Sequence, residues 1–452
     1  MHLRCRPGPG WDIKNKMSIL SFPINLKSLS NDFSVTSEMK LALKAIASGE
    51  SPIFISGGAG TGKSTLLKMI RKLANSSLAV LAPTGIAALN VSGMTIHSFF
   101  RLPPSLMTHH NFKRSPSAQD LFRRLSGIII DEISMVRADL LDAMDATLRM
   151  HLDSGKPFGG VQIVMLGDLS QLPPVLAGKE LEQHFSKMYE SRFFFDAHSL
   201  RSGPLHRYNL TETFRQEDSA FVGILNRLRF GTATNEDFAK LNSRVVKGAT
   251  NKTDFTITST RRLAEDINRV NLEGLAGSEI CYHAQIKGGI TKQEFPADEI
   301  LRLKSKASIM MLQNNGEFWQ NGTLGTVIDF GNPDGKEAIK VSLPKGEYWI
   351  PRSTWDVIRY VRNPIGPGLI EEVVGSFLQF PMRLSWAVTV HKCQGMTFDK
   401  IAVNLKDRMF EHGQLYVTLS RCRTLNGISL TREIRHSDLH RHARVNWFES
   451  QK

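Results

Sequence analysis

The chain has few cysteines and no long apolar run. Only four of its 452 residues are cysteine, and these residues, Cys5, Cys281, Cys393 and Cys422, form no C-x-x-C pair and no metal-ligand spacing. That usage excludes a disulfide framework and predicts a reducing compartment, cytoplasmic or, in a eukaryote, nuclear. No apolar run approaches the roughly 18 residues of a membrane span, and the N-terminus has no signal-peptide core. The sequence therefore predicts a soluble protein without membrane association.

Acidic residues are in the minority. Lys and Arg number 57 against 43 Asp and Glu, which gives a formal net charge of +14 and a pI of about 9.6. No basic run concentrates this charge at one end. A distributed excess suits a polyanion lying across a surface, although a basic pI by itself is weak evidence for nucleic acid. The length predicts two to four domains.

A glycine-rich turn at residues 57–64 is the most informative signal. In SPIFISGGAGTGKSTLLKMI, residues 51–70, an apolar strand runs into this turn, which fits G-x-x-x-x-G-K-[ST] and opens a helix. Its N–H groups converge on phosphates at the positive end of the helix dipole. Lys63 adds a charge for the β and γ phosphates, and Ser64 a hydroxyl for Mg²⁺. The predicted nucleotide-binding residues are Gly58, Ala59, Gly60, Thr61, Gly62, Lys63, Ser64 and Thr65.

Two carboxylates follow a buried strand in IIIDEISM, residues 128–135. Asp131 can hold the metal, and Glu132 can polarise the attacking water. An isolated Asp-Glu pair is usually a solvated strand end, but a pair downstream of Lys63 favours the catalytic interpretation. In VQIVMLGDLSQLPPV, residues 161–175, Gln171 can bond the γ-phosphate or its water and so report whether ATP is intact.

Apolar strands that alternate with amphipathic helices predict an α/β fold. The strand candidates are residues 53–55, 79–81, 128–130 and 163–166 in a first region, and 255–258, 387–390 and 401–405 in a second. Short apolar runs separated by helices indicate parallel sheets covered on both faces. Residues 296–382 instead show short alternating strands with turns at 321–322, 331–335 and 344–346. They predict a small antiparallel β-barrel inserted into the second region.

Seven motifs in a fixed order resemble those of a known family. They are GGAGTGKST, APTGIAAL with TIHSFF, DEISM, GDLSQLPPV, TFRQ, AVTVHKCQGMTFD and YVTLSRCRT, and the set looks like the superfamily 1 helicases of subgroup B. DEISMVRADLLDAM followed by KPFGGVQIVMLGD resembles the signature of the PIF family of 5′-to-3′ DNA helicases. The resemblance runs from about Val35 to Phe448. It implies two RecA-like domains with ATP in the cleft between them, a small insertion in the first and an SH3-like β-barrel insertion in the second.

The resemblance and the strand pattern together predict the domain boundaries. They are 1–33 for a tail, 34–100 and 127–199 for RecA-like domain 1A, 101–126 for a small wedge insertion 1B, 200–295 and 383–452 for RecA-like domain 2A, and 296–382 for the SH3-like insertion 2B. In the resembling family the 1B position helps to split the duplex. The wedge side chain is left open here, since the basic residues of this segment can equally solvate its face. They are Arg101, Lys113, Arg114, Arg123 and Arg124.

Two arginines of the second region are predicted to act on the nucleotide. Arg215 in TFRQ and Arg421 in LSRCRT can reach the γ-phosphate only when the cleft is shut, so each is interpreted as an arginine finger. Without its motif, an arginine is more often a solvated surface residue. The motif context favours the finger for both.

Short polar residues after other strands predict contacts to DNA, on the edge opposite the nucleotide. The candidates are Pro83, Thr84, Gly85, Thr95, His97, Thr389, His391, Lys392 and Gln394. Hydroxyl, imidazole and amide groups with free backbone N–H suit phosphates and sugars without reading sequence. His97 and His391 can alternatively be packing histidines, and Phe99 and Phe100 either stack bases or belong to the core. Trp386 is expected in the core.

These observations predict an ATP-dependent DNA helicase that moves 5′ to 3′ on single-stranded DNA, with Mg²⁺ as cofactor. The polarity comes from the resemblance. ATP would close the cleft and hydrolysis would reopen it, so that two DNA grips alternate in affinity. The expected partners are single strands and duplex junctions, bound by a monomeric core. Two alternatives stay open: an RNA or RNA–DNA hybrid helicase, and a nucleic-acid-stimulated ATPase that remodels nucleoprotein complexes.

One position departs from the resembling helicases. A glutamine ahead of their phosphate loop commonly bonds the adenine edge, whereas VTSEMKLAL, residues 35–43, places Met39 there. A thioether accepts hydrogen bonds weakly and donates none. The sequence therefore predicts weak discrimination between nucleotide bases.

Overall fold

The computed structural model describes residues 35–74, 77–103, 107, 114–176, 179–214, 218–246, 255–292, 295–316, 318–362 and 369–451. The predicted tail at 1–33, Lys113 and Arg215 lie outside this part of the chain. Within it, the α/β class is confirmed, since two parallel sheets carry an antiparallel insertion. The helices of the described ranges include none that is long and apolar enough to cross a membrane.

The first α/β unit is built on a six-stranded sheet. Its strands are β1 (Ile53–Gly57), β2 (Leu78–Ala82), β3 (Met94–Thr95), β4 (Gly127–Ile130), β5 (Gln162–Gly167) and β6 (His206–Leu210). Its helices are α1 (Ser37–Ala47), α2 (Lys63–Leu73), α3 (Gly85–Asn90), α4 (Ile96–Phe100), α5 (Pro116–Arg123), α6 (Ala138–Leu152) and α7 (Lys179–Met188). The order is β3-β2-β4-β5-β1-β6 with every pairing parallel, so the carboxyl ends of all six strands line one edge.

Strand β6 corrects the predicted boundary at residue 199. It pairs with β1 from Ile53 opposite His206 to Gly57 opposite Leu210, so the first sheet extends to residue 210. Its sequence, HRYNL, has only two apolar residues, as is typical of an edge strand that is only partly buried. A search for continuous apolar runs therefore misses it.

The second α/β unit has a four-stranded parallel sheet of order β18-β7-β19-β20. Its strands are β7 (Thr256–Thr258), β18 (Ala387–Thr389), β19 (Ile401–Asn404) and β20 (Ile428–Leu430), and its helices are α8 (Ser219–Phe230), α9 (Asn235–Asn242), α10 (Arg261–Glu273), α11 (Gln414–Leu419) and α12 (Ala443–Ser450). The three predicted strands of this region are confirmed. Trp386 precedes β18 and is 7% exposed, so its core assignment is also confirmed.

The inserted segment is antiparallel, as predicted, but larger. Its strands are β8 (Ile280–His283), β9 (Gln285–Gly288), β10 (Ile300–Leu303), β11 (Ser308–Met311), β12 (Leu324–Gly331), β13 (Ala338–Leu343), β14 (Gly346–Pro351), β15 (Ser353–Arg362), β16 (Leu369–Gln379) and β17 (Met382–Leu384). The predicted limits at 296 and 382 are wrong, because β8 pairs with β10, β9 pairs with β16, and β17 continues to Leu384. Pairings within the described residues give sheets of five, three and two strands.

A long hairpin of β15 and β16 leaves the insertion and packs on the first unit. Tyr360 is 7% exposed and lies in the core of that unit, with its ring centroid 5.9 Å from that of Phe99. The Tyr360 hydroxyl accepts a hydrogen bond from the Val80 N–H at 3.4 Å, and Arg71 pairs with Glu371 at 3.2 Å. The hairpin thus ties the insertion to β2 and α2 of the first unit.

Helix α12 also contributes to the first core. Val445 and Phe448 are buried there, and the Phe448 ring stacks on Phe195 with centroids 4.3 Å apart. Arg207 of β6 donates to the Phe448 carbonyl at 3.0 Å. The core of the first unit therefore includes side chains from near the end of the chain.

The predicted 101–126 insertion is described only in part, since residues 104–106 and 108–113 lie outside the described ranges. Its helix α5 packs Phe122 against Phe99 and Phe100, which are 4% and 5% exposed. The core interpretation of Phe99 and Phe100 is therefore confirmed over base stacking. Arg114 donates to the Met150 carbonyl and pairs with Asp153.

Candidate nucleotide and nucleic-acid site

The turn between β1 and α2 has the backbone geometry that a phosphate requires. Gly60 and Gly62 have φ of 81° and 85°, a left-handed conformation that favours glycine. Helix α2 starts at Lys63, and no side chain in the described contacts caps its first turn. The first N–H groups of α2 are therefore available to an anion.

Lys63 reaches back over this turn. Its Nζ donates to the carbonyl oxygens of Gly57 at 2.6 Å and Gly58 at 2.9 Å. Burial lowers the pKa of Lys63, and the nearby carboxylates of Asp168 and Glu132 oppose that shift. The ammonium is thus placed beside the loop, where phosphate oxygens would lie.

A cavity of about 630 Å³ opens between the two α/β units. Residues 59–65 of the turn line it together with Glu132 and Gln171 from the first unit, and Arg421 faces it from the second. Five of the six predicted catalytic residues have a described position. Four of these, Lys63, Glu132, Gln171 and Arg421, line this one space.

Asp131 and Glu132 follow β4 at the same edge of the sheet. Burial raises the pKa of Glu132 to about 7, and the neighbouring Asp131 carboxylate adds to the rise. Burial likewise raises the pKa of Asp131, against the opposing charge of Lys63. A carboxylate whose pKa is near neutrality is suited to accept a proton from water. Among the described residues, no cluster of three or more His, Cys, Asp or Glu forms a metal site by itself.

A buried network of hydrogen bonds and one ion pair lies behind the phosphate loop, and the motifs do not predict it. Arg229 of α8 pairs with Asp168 at 3.1 Å, and both side chains are almost completely buried. Gln171 donates to the other oxygen of Asp168 at 3.2 Å. Tyr416 of α11 donates to Asp168 at 3.3 Å and accepts from the Ala59 N–H at 3.0 Å. Asp168 thereby joins the loop and Gln171 to two helices of the second unit.

The structure places Gln394 on the nucleotide side rather than with the predicted DNA contacts. Its Nε2 donates to Glu132 Oε2 at 3.1 Å and to Gln171 Oε1 at 3.3 Å. The residues that follow Gln394 in the turn after β18, Gly395 to Thr397, line the cavity, so this end of the turn lies at the nucleotide site. The prediction that Gln394 contacts DNA is therefore not supported by its position.

Arg421 lies in the wall of the cavity and is 1% exposed. Its guanidinium donates to the carbonyls of Val417 at 3.0 Å and Met396 at 3.2 Å, and to the Ser420 hydroxyl at 2.9 Å. These partners all belong to the second unit. Arg421 is thus held by its own unit while it faces the phosphate loop of the other.

Comparisons with known proteins agree with this site. Residues 34–239 match the model of the PIF1-like helicase family. Pif1 from Bacteroides sp in complex with ADP-AlF4 superposes with a TM-score of 0.84 and 35% identity, over 92% of this chain and 97% of that one. The chain belongs to the PIF1-like helicase family. The ATP-dependent DNA helicase PIF1 of Danio rerio is 31% identical over 94% of this chain, which spans 65% of the length of that relative.

Within this helicase family, a second structure gives a lower similarity. Bacteroides Pif1 bound to ssDNA has a TM-score of 0.68 at the same 35% identity and the same 92% and 97% coverage. The chain is therefore more similar in overall structure to the ADP-AlF4 complex than to the ssDNA complex.

The predicted DNA residues of the first unit do not lie on the opposite edge. Since the sheet is parallel, Pro83, Thr84 and Gly85 after β2 and Thr95 at the end of β3 share the carboxyl edge with the phosphate loop. They lie at a distance from the loop along this edge, because β4 and β5 stand between β2 and β1 in the sheet. The prediction of two opposite edges was wrong because parallel strands all end on the same side.

Several of these side chains already have partners. Thr84 and Thr95 cap α3 and α4 by accepting from the N–H groups of Ala87 and Ser98, both at 3.2 Å. The hairpin strand β15 covers this surface, and its residues 356–358 enclose a cavity of about 30 Å³ with Gly85, Thr95 and their neighbours. His97 has a buried Nε2 without a described partner, and burial lowers its pKa.

The candidates of the second unit lie in the turn after β18. Thr389 is 8% exposed and accepts from the Lys392 N–H at 3.4 Å, whereas His391 is exposed. Burial and the nearby Arg383 lower the pKa of Lys392. An anion beside Lys392 would offset both effects.

Met39 lies where the sequence places it, at the nucleotide cavity. It is 1% exposed, its methyl group is against Gly62, and the half-exposed ring of Phe214 is next to it. Phe214 was not singled out from sequence, although TFRQ contains it. The cavity thus has an apolar wall beside the start of α2.

Proposed function

We propose that this chain is an ATP-dependent DNA helicase that translocates 5′ to 3′ on single-stranded DNA. The observation that carries the proposal is the cavity between the two α/β units, with the phosphate loop and Glu132 on one side and Arg421 on the other. A nucleotide there would contact both units at once. Binding and hydrolysis would then change how the units face each other.

Each residue of the site has its own role in ATP binding or hydrolysis under this proposal. The loop N–H groups and Lys63 bind the phosphates, Gln171 positions the attacking water, and Glu132 accepts its proton. Arg421, with Arg215 as a second predicted finger, supplies charge from the other unit. Ser64 and Asp131, a hydroxyl and a carboxylate, are suitable oxygen ligands for Mg²⁺, which would neutralise phosphate charge.

The remaining parts are assigned by the same proposal. We regard the two α/β units as RecA-like domains 1A and 2A, the segment around α5 as wedge 1B and the antiparallel insertion as the SH3-like 2B. Since the hairpin of β15 and β16 covers Gly85 and Thr95, it has to move before a strand can reach them.

Strand displacement tests the activity and its alternatives together. The substrate is a duplex with a 5′ single-stranded tail, and DNA and RNA loading strands are compared with a 3′-tailed control. We expect ATP-dependent unwinding of the 5′-tailed duplex with a DNA loading strand. Unwinding from RNA alone would favour the RNA helicase, and DNA-stimulated hydrolysis without unwinding would favour a remodelling ATPase.

Binding to single strands is expected to depend on salt and not on sequence. Contacts to the backbone release counterions, so log K should fall with log salt by about 0.7 for each phosphate neutralised. Lys392→Gln should reduce the slope by about 0.7, since it removes one phosphate contact. Fluorescence anisotropy with equal-length oligonucleotides at several salt concentrations measures both. Lys400→Gln, which changes an exposed lysine nearby, serves as the control, and strong preference for one short sequence would contradict backbone tracking.

Hydrolysis is expected to discriminate poorly between bases. Because Met39 cannot make the paired hydrogen bonds of an amide, GTP, CTP or dATP should support DNA-stimulated turnover within about tenfold of ATP, a gap of ~1.4 kcal/mol or less. Met39→Gln should widen the gap in favour of ATP, and Met39→Leu, which conserves volume, should not. The measurement is kcat/KM for each nucleotide. A thousandfold rejection of GTP by the unchanged protein would mean that another group reads the base.

A further inference from the structure

The side chain of Gln394 is hydrogen-bonded to Glu132 and Gln171, the two residues predicted to activate and position the attacking water. Its amide nitrogen donates to the carboxylate of Glu132 at 3.1 Å and to the side-chain oxygen of Gln171 at 3.3 Å. A primary amide has two N–H groups, so it can serve both acceptors at the same time. The two bonds take up one acceptor site on Glu132 Oε2 and one on Gln171 Oε1, and they hold both side chains towards Gln394 rather than towards a water molecule. This arrangement is suited to a resting state.

The backbone that carries Gln394 is a short, hydrogen-bonded turn. The N–H groups of Lys392 and Cys393 donate to the Thr389 carbonyl at 3.0 and 3.3 Å, and the Met396 N–H donates to the Cys393 carbonyl at 3.1 Å. Cys393 is completely buried in the second core. Because these bonds connect the residues of the turn, a displacement at Thr389 or Lys392 would also move Gln394.

The same turn is connected to the cavity wall. Arg421 donates to the Met396 carbonyl at 3.2 Å, only two residues beyond Gln394. The turn therefore begins at the predicted DNA contacts. Its Gln394 contacts the predicted hydrolytic residues of the first unit, and its Met396 contacts the predicted arginine finger. A ligand at either end can change the position of the amide.

We propose that Gln394 is a positioning residue that keeps ATP hydrolysis slow until single-stranded DNA binds. The inference rests on the helicase function proposed above. A strand bound at Thr389 and Lys392 shifts the turn, withdraws the amide from Glu132 and Gln171, and leaves both free for the water. The amide neither gives nor takes a proton in the reaction, so its effect is on the population of the competent arrangement.

The test is steady-state ATP hydrolysis with and without oligo(dT). Gln394→Leu keeps a side chain of similar size and removes both donors. We expect DNA-free kcat to rise about tenfold, the equilibrium equivalent of roughly one hydrogen bond, while DNA-stimulated kcat, KM for ATP and affinity for oligo(dT) stay close to those of the unchanged protein. Damage to packing would lower turnover instead. Gln285→Leu makes the same change at an exposed strand position of the insertion and should alter neither rate.

A second variant covers the case in which Gln394→Leu does not fold, as judged by thermal unfolding. Gln394→Met has an unbranched side chain of similar length and no N–H group, so it cannot donate to Glu132 and the same rise is expected. An unchanged or lower DNA-free kcat in the folded variant would overturn the proposal. If the unchanged protein itself shows no stimulation by oligo(dT), the helicase function fails instead, which is a different result.

Discussion

Glu132→Gln is expected to slow ATP hydrolysis by ~10²–10⁴-fold while ATP and single-stranded DNA remain bound. The glutamine has the shape of the glutamate but cannot accept the proton of the attacking water. Single-turnover hydrolysis gives the chemical rate, and anisotropy with a fluorescent nucleotide gives the affinity. Because burial and Asp131 already raise the pKa of Glu132 to about 7, removing its charge also relieves repulsion at this edge of the sheet. Binding of the anionic nucleotide should therefore not weaken.

Lys63→Ala provides the contrast. It removes the cation that bonds the Gly57 and Gly58 carbonyls and would face the phosphates of a bound nucleotide, so both nucleotide binding and turnover should be lost. The two variants together separate a group that binds from a group that reacts. Normal turnover in Glu132→Gln would show that another residue is the base.

Arg421→Ala is expected to cut DNA-stimulated hydrolysis by a factor on the order of 10³ and to leave nucleotide binding largely intact. The phosphate loop holds the nucleotide from the first unit, whereas Arg421 adds its charge from the second. Comparing kcat with nucleotide affinity distinguishes this role from a structural one.

Arg421→Lys is the matched control for that variant. Lysine retains the charge but cannot make the planar, paired contacts of a guanidinium. Since Arg421 also bonds the Val417 and Met396 carbonyls, thermal unfolding has to accompany both measurements. An equal loss of binding and turnover in a folded Arg421→Ala protein would mean that the side chain is structural.

Buried strands and the phosphate turn could be predicted because their signals are local. Strands such as β4, with four buried residues in a row, are visible as apolar runs. The edge strand β6, HRYNL, has no such run. The alternating pattern of the insertion predicts antiparallel strands, but it does not predict that the hairpin of β15 and β16 packs on the first unit. Their partners are also distant in sequence, so only the folded chain determines which sheet they join.

The same distinction holds within the site. Lys63, Glu132 and Arg421 could be predicted to lie together because each belongs to a motif with its own chemistry, and all three line one cavity. The sequence predicts that Gln394 contacts DNA because it follows Thr389 and Lys392, whereas the structure places it against Glu132. The Asp168–Arg229 pair has no sequence signal, because an arginine in an amphipathic helix is most often solvated. Contacts between the two units cannot be obtained from motifs that lie within each unit.

The position of helix α12 has a consequence for biosynthesis. Phe448 stacks on Phe195 in the core of the first unit, and Tyr360 of the hairpin fills another part of that core. The ribosome synthesises residues in order. The apolar interior of the first unit can therefore be completed only after 238 further residues, 211 to 448, have been synthesised. During that interval Phe54 and Phe194, which border Phe448, remain exposed in a nascent chain. Such contacts between distant segments slow folding and leave apolar surface open to chaperones and to self-association.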